Sequence, residues 1–283
     1  MLFWLTEPKI IGAIIFVTLL MPLNWGIECY KWKLVTQQVE VISYKTAIKS
    51  VFTGITLGNI APGRAMEFVA KIYFFKPENK PSVTILHFIN GMFQMLITVC
   101  VGVSAIAYKF NTSNQSSVLM YVIIFGGIAL SVFFCLAIFN ISFIQRKLKF
   151  IKWFRIKESA HALVFSKKLI IQLLSLSVFR YIVFTFQFYL IYTALSEQLP
   201  FFQIVGSIAG YFMLTSLIPM ISVVEPAIRA AIALFVFNNI GDNSVSVILS
   251  STLLWLINVI IPSLIGYAII LKEKINFKTS HVN

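Results

Sequence analysis

The sequence predicts an all-α polytopic membrane protein. Of its 283 residues, 59% are hydrophobic, 12% are charged and 27 are phenylalanine. Several apolar stretches approach or exceed the roughly 20 residues that an α-helix needs to cross a hydrocarbon layer of about 30 Å. Basic residues cluster between these stretches, as they do in the cytoplasmic loops of membrane proteins. We therefore expect a single membrane domain, 1–283, rather than a pair of globular domains.

Composition also argues against several classes of function. The formal net charge is +13, but lysine and arginine segregate into loops, so we expect a membrane topology signal and no nucleic-acid partner. The three cysteines and three histidines lack the spacing of a disulfide framework or a metal site. We therefore expect no metal and no cofactor.

Apolar length sets the spanning elements in chain order. The five predicted spans are about 9–28, 84–108, 118–143, 169–194 and 247–271. Near the end of the first span, Trp25, Glu28 and Trp32 are expected to lie at the membrane interface, where aromatic and charged side chains are common.

Orientation follows from the loops between these spans. The loop 145–168 carries eight lysines and arginines, which places it in the cytoplasm by the positive-inside rule. The loops 196–200 and 238–243 contain none, and 109–117 contains only Lys109. These three loops are therefore predicted to lie outside.

Two further apolar segments, 46–76 and 202–237, are predicted to begin and end on the same side. Each is interrupted, the first over 58–63 and the second between Pro219 and Pro226, because proline removes a backbone donor and clashes with the preceding turn. Pro62 is expected to open the second half-helix of the first segment. Both segments are predicted to be re-entrant helical hairpins, with kinked spanning helices or pairs of interfacial helices as alternatives.

The predicted elements repeat with opposite sense. Repeat one covers about 9–108, a linking helix covers 118–143, and repeat two covers about 169–271. Each repeat consists of a spanning helix, a hairpin and another spanning helix. Broken segments at matching positions in two inverted halves indicate the central site of a transporter.

Charged residues accompany both breaks. Glu67 with Lys71, and Glu225 with Arg229, are acid–base pairs at i,i+4 spacing, which places each pair on one helical face. Ionisable residues at membrane depth normally face a cavity or each other. Two alternatives remain: both pairs could be purely structural, and Ser222 with Glu225 fits a capping box.

A polar pocket between the two breaks is the candidate substrate site, because helix N-termini and arginines both attract phosphate. Arg180, inside a predicted spanning helix, would add a further cation. The candidate substrate-binding residues are Asn59, Pro62, Gly63, Arg64, Glu67, Lys71, Arg180, Pro219, Ser222, Glu225 and Arg229. No catalytic residue is predicted.

The residues around the breaks resemble two motifs of the lysylphosphatidylglycerol synthase transmembrane region family, the flippase half of the aminoacyl-phospholipid synthase/flippases. The segment 62–71 resembles a Pro-Gly-Arg motif followed by an acid and a base, and 219–227 resembles a turn leading to Val-Val-Glu and an alanine-rich helix. Met66 and Ala70 stand where the family has glycine and arginine, and 220–222 lacks the glycines of the second turn. The resemblance covers most of the chain.

The resemblance implies a stand-alone flippase-like member without the synthase domain. It implies an integral protein of the bacterial inner membrane, with a cytoplasmic C-terminus, that binds or moves a phospholipid or a lipid-linked headgroup between the hairpins. The expected partners are membrane lipids with anionic or amine-bearing headgroups. A membrane-embedded lipid-modifying enzyme and a non-transporting partner subunit remain alternative functions.

Overall fold

The described residues of the computed structural model are mostly helical and contain no β-strand. They are 7–61, 64–112, 118–141, 163, 165–196, 200–220, 223–238 and 244–275. The helices are α1 Pro8–Thr36, α2 Tyr44–Ile60, α3 Glu67–Ile72, α4 Lys80–Thr112, α5 Val118–Phe139, α6 Lys167–Leu195, α7 Phe201–Leu217, α8 Glu225–Phe237 and α9 Ser244–Lys272. Most of the basic loop 145–168 lies outside the described residues, so its cytoplasmic placement stays a prediction.

Five helices, α1, α4, α5, α6 and α9, are long and apolar enough to cross a membrane. They confirm the five predicted spans and the all-α polytopic class. The linking helix α5 packs mainly on α4 and is the least buried of the five. The largest difference in length is at α1, which continues from its predicted end at residue 28 to Thr36.

The longer α1 changes the surroundings of three residues that were expected at the membrane interface. Trp25, Glu28 and Trp32 are only 6%, 7% and 0% exposed. The helix continues for about two turns beyond Glu28, and α2, α4 and α6 pack around it. The three side chains therefore face neighbouring helices inside the bundle, and their depth relative to the membrane interface stays a prediction.

The helix α2 with α3, and the helix α7 with α8, form two helical hairpins. Near the base of the first hairpin, Ser50 Oγ donates a hydrogen bond to the carbonyl oxygen of Lys71 at 3.0 Å. Near its tip, a Cβ added to Gly58 would lie 3.0 Å from Cβ of Glu67. Later residues of α2 thus meet earlier residues of α3, which is the register of an antiparallel hairpin.

Each hairpin returns to the end of the molecule at which it began. Glu40, before α2, accepts hydrogen bonds from the backbone N–H of Lys76 at 3.2 Å and from Nδ2 of Asn79 at 2.8 Å. The carbonyl oxygen of Leu195, at the end of α6, accepts one from Ser246 Oγ at 2.6 Å, at the start of α9. The entry and exit of each broken segment are therefore joined.

The break in the first hairpin differs from its prediction. Pro62 was expected to open the second half-helix, but α3 begins at Glu67. Arg64 has a left-handed backbone conformation with φ of 57°, which a right-handed helix does not accommodate. The helix can therefore start only after Arg64. Pro62 and Gly63 themselves lie outside the described residues.

The first helix of each hairpin packs against a spanning helix from the other half of the chain. The helix α2 packs against α9, α7 packs against α4, and α1 packs against α6. A Cβ at Gly266 of α9 would overlap the carbonyl oxygen of Phe52 and Oγ1 of Thr56 on α2. A Cβ at Gly102 of α4 would overlap Cβ of Met213 on α7. A glycine thus permits the close approach of the two helices at each crossing. The boundaries of the two repeats stay a prediction.

Candidate functional site

A cavity of about 200 Å³ lies between the hairpins and the spanning helices, and three arginines line it. They are Arg64 from the first break, Arg180 from α6 and Arg229 from α8. A second cavity, of about 320 Å³, shares Arg64, Thr215, Ser216 and Arg229 with the first. The two cavities therefore adjoin, and cations from both halves of the chain meet there.

Arg180 is held at the cavity wall by side chains of α1 and by its own helix. Its Nε donates to Oδ1 of Asn24 at 3.0 Å, and its Nη1 lies 3.2 Å from Oε2 of Glu28. The guanidinium carbon lies 5.3 Å from the ring centre of Trp25 and 5.2 Å from that of Phe184. Ion pairing and cation–π contacts both stabilise a cation that is withdrawn from water.

Glu28 belongs to the candidate site, although its sequence position suggested otherwise. Oε1 of Glu28 accepts a hydrogen bond from Nδ2 of Asn90 at 2.8 Å, and Nζ of Lys31 lies 3.9 Å from Oε2. Lys31 is fully buried. The sequence did contain a signal, because Asn24 and Glu28 have the i,i+4 spacing of one helical face within an apolar stretch.

In the second hairpin, Arg229 binds Glu225 with two nitrogens. Nε donates to Oε1 of Glu225 at 2.8 Å, Nη2 lies 2.8 Å from the same oxygen, and Nη1 lies 3.5 Å from the hydroxyl of Tyr211. Glu225 is the first residue of α8, and the side chain of the N-cap residue, Val224, makes no capping hydrogen bond. A capping box would make Glu225 the third helical residue, so this alternative does not hold. Ser222 lies outside the described residues.

In the first hairpin, Glu67 binds two cations unequally. Its Oε1 lies 2.9 Å from Nζ of Lys71, and its Oε2 lies 3.9 Å from Nη1 of Arg64. Lys71 is buried against Gly54, with its ammonium 5.2 Å from the ring centre of Trp32. Lys71 is a candidate substrate-binding residue, but it is not among the residues that line either cavity.

The remaining predicted site residues lie in different parts of the structure. Nδ2 of Asn59 donates to Oγ of Ser263, which ties α2 to α9. Pro219 and Glu225 line the second cavity. The structure therefore brings the three arginines, this proline and this glutamate to the adjoining cavities. Asn59, Glu67 and Lys71 are not among the residues that line these two cavities.

The helix α9 forms part of the cavity wall with an irregular turn that sequence reasoning missed. One π-helical turn, Leu256–Ile260, interrupts it. Pro262 has no N–H, so the carbonyl oxygen of Asn258 lacks its usual donor four residues on. That oxygen accepts a hydrogen bond from Nε1 of Trp25 at 3.2 Å instead. Single π-helical turns are frequent at functional sites, and Trp255 and Asn258 both face this cavity.

Comparison with known protein families shows a family to which the chain is similar. A sequence model of the family described as the Lysylphosphatidylglycerol synthase TM region matches residues 2–266. The matched stretch contains both hairpins and the three cavity arginines. No curated protein and no solved structure matches the chain.

Proposed function

Because the chain belongs to the lysylphosphatidylglycerol synthase transmembrane-region family, we propose that it moves a phospholipid or a lipid-linked headgroup across the membrane. Its membrane-length helices make it an integral membrane protein. The observation that carries the proposal is the meeting of Arg64, Arg180 and Arg229 at one cavity between the hairpins. Arginine binds phosphate through several charge-assisted hydrogen bonds in a fixed geometry.

In the proposed mechanism, the three arginines hold the phosphate while the hydrocarbon tails stay in the bilayer. Each arginine also lies within 4 Å of a glutamate oxygen, at 3.9, 3.2 and 2.8 Å for Arg64, Arg180 and Arg229. These carboxylates lower the cost of keeping the cations at membrane depth while no lipid is bound. The glutamates therefore hold the arginines in place for the headgroup.

The hairpins would be re-entrant and of opposite orientation, with their tips meeting near the bilayer midplane. Rocking of the two repeats against each other would then open the cavity to each leaflet in turn. We place the protein in the bacterial cytoplasmic membrane with its C-terminus inside. The basic loop 145–168 and the tail lysines Lys272, Lys274 and Lys278 support this orientation.

Translocation of acyl-chain-labelled fluorescent phosphatidylglycerol in proteoliposomes tests the proposal. We expect Arg180→Gln and Arg229→Gln to slow the protein-dependent rate by at least about tenfold, because each removes charge-assisted hydrogen bonds to the phosphate. The control is Lys49→Gln, which breaks a partly exposed 2.8 Å ion pair with Glu273 away from the cavity. It should keep the wild-type rate. Equal rates with wild-type protein and in protein-free vesicles would contradict the proposal.

A further inference from the structure

We propose that Lys31 is a proton-binding site, neutral while the arginine-lined cavity is empty and protonated when an anion enters that cavity. The inference rests on the lipid translocation proposed above and adds a proton as a second ligand, bound outside the cavity. Three observations support it: the missing acceptor at Lys31, the cations that face this lysine, and a carboxylate that it shares with Arg180.

The structure contains two fully buried lysines in the bundle, and only one of them has a close acceptor for its ammonium group. The side chains of Lys31 and Lys71 are 0% and 2% exposed. Nζ of Lys71 lies 2.9 Å from Oε1 of Glu67. The ion pair of Lys31 with Glu28 is longer, at 3.9 Å, and Nζ of Lys31 makes no hydrogen bond to a described residue. A buried cation without a hydrogen bond is costly, and a buried lysine avoids this cost by releasing its proton.

The charged groups that face Lys31 are mostly cations. They are Glu28 on its own helix, Arg180 on α6 and Lys71 on α3. His87 of α4 faces Lys71 and Glu28 instead, and among the described residues no ionisable side chain of α2 acts on Lys31. Because like charges repel, Arg180 and Lys71 disfavour a proton on Lys31 while no anion is near.

An anion in the cavity would change this balance through Arg180 and Glu28. Arg180 lines the cavity. Its Nη1 lies 3.2 Å from Oε2 of Glu28, the same oxygen that lies 3.9 Å from Nζ of Lys31. A phosphate bound to Arg180 offsets the charge of this arginine and releases the carboxylate to pair with a protonated Lys31. Binding of the anion and binding of the proton therefore favour each other, as linkage requires.

Glu28 also provides the route by which the proton reaches Lys31. The side chain of Glu28 is 9% exposed, whereas Nζ of Lys31 is enclosed. Oε2 of Glu28 takes a proton from water and passes it to the lone pair of Nζ, which restores the carboxylate and leaves an ammonium group. The reverse steps return the proton to water after the anion has left. A lipid with one negative charge then crosses together with one proton, and no net charge moves.

NMR of the lysine side chains in the lipid-free protein tests the protonation state directly. Lysines are labelled with carbon-13 at Cε, and the signal of Lys31 is the one that Lys31→Met lacks. We expect this signal to show an amine at neutral pH and to move to the ammonium position when phosphatidylglycerol is added. An ammonium signal for Lys31 in the lipid-free protein throughout the range from about pH 6 to 9 would overturn the inference.

Lys109 provides the matched control for this measurement. Its Nζ donates to the carbonyl oxygen of Val236 at 2.8 Å, so a buried acceptor compensates its charge. The signal that Lys109→Met lacks should therefore remain that of an ammonium group with and without phosphatidylglycerol.

The affinity of the purified protein for acyl-chain-labelled phosphatidylglycerol gives a second test. The phosphodiester keeps its charge in this pH range, so any pH dependence belongs to the protein. Because binding takes up a proton, we expect the affinity to fall as pH rises, by up to about tenfold per pH unit. Lys31→Met should remove this dependence, and Lys109→Met should keep it. Loss of the dependence in His87→Phe but not in Lys31→Met would place the proton on His87 and overturn the inference. If Lys31→Met does not fold, the wild-type protein still decides, since a pH-independent affinity refutes the proposal.

A pH gradient across proteoliposomes separates this inference from the transport proposal. Labelled phosphatidylglycerol should accumulate in the leaflet that faces the more alkaline side, by up to about tenfold per pH unit. Translocation that ignores the gradient, together with an affinity that ignores pH, would refute the proton site and leave transport intact. Proton uptake on lipid binding without translocation would refute transport and uphold the proton site.

Discussion

Arg180 owes its position largely to a helix that precedes it by some 150 residues. Asn24, Trp25 and Glu28 of α1 contact its guanidinium, and α1 packs along α6 in the opposite direction, with Phe16 near Phe186 at one end of the contact. Sequence patterns report neighbours on the same helix, so this pairing between helices could not be predicted. The arginine itself was visible as the single cation within an apolar span.

Glu28→Gln tests how far the buried ion pair stabilises the fold. The substitution leaves Arg180 and Lys31 without their carboxylate, and loss of one partner of a buried pair typically costs about 3 kcal/mol. We expect this loss in the free energy of unfolding, measured in detergent. The double variant Glu28→Gln with Arg180→Gln should lose less than the sum of the single losses.

The control for this prediction is Glu273→Gln, which removes the partner of Lys49 in a pair that is about one-third exposed. A surface ion pair contributes little, so its loss should lower stability by less than about 1 kcal/mol. Equal destabilisation by the two substitutions, or strictly additive losses in the double variant, would show that Glu28 does not stabilise Arg180.

At the scale of elements, sequence reasoning succeeded where local signals determine the structure. Helix–break–helix segments follow from prolines and glycines, and Glu67 and Glu225, which the sequence places beside the breaks, are the first residues of α3 and α8. The exact start was missed in the first hairpin, because nothing in the residue types reveals the left-handed backbone of Arg64. The sequence could not show that Lys71 lies away from both cavities, because an i,i+4 pair fixes a helical face but does not identify what that face contacts.

The glycines at the helix crossings are expected to be required for stability. Gly266→Ala would place a methyl group against the backbone carbonyl of Phe52, which cannot rotate away. We expect a loss of about 1–3 kcal/mol from overpacking, measured as thermal unfolding in detergent by tryptophan fluorescence. Gly102→Ala should behave similarly, since its methyl group would also lie 3.0 Å from the carbonyl oxygen of Ala209.

Gly12→Ala is the matched control for both crossings. Gly12 is also helical, in α1, but no atom lies within 4 Å of an added Cβ. Because alanine favours helix over glycine by up to about 1 kcal/mol, this variant should be as stable as wild type or slightly more stable. If Gly266→Ala matched Gly12→Ala, the close approach of α9 to α2 would not be a determinant of the fold.

At the scale of the whole molecule, contacts sort the helix ends into two groups. Lys49, near the base of the first hairpin, lies 2.8 Å from Glu273 after α9. At the other group of ends, Nζ of Lys109 in α4 donates to the carbonyl oxygen of Val236 in α8 at 2.8 Å. Both groupings agree with the loop charges, which predict that the helix ends within each group lie on the same side of the membrane. Only the positive-inside rule predicts which of the two groups of helix ends faces the cytoplasm.

Single-cysteine labelling of the hairpin bases tests this sidedness. In a background without the three native cysteines, Val41→Cys and Tyr73→Cys flank the first hairpin, and Phe202→Cys and Val245→Cys flank the second; all four native side chains are exposed. An impermeant maleimide should label the first pair only from the cytoplasmic side and the second pair only from outside. The reason is that hydrogen bonds join the entry and the exit of each segment. Labelling of the two ends of either segment from opposite sides would instead show an ordinary spanning helix, and the inverted arrangement on which alternating access depends would not exist.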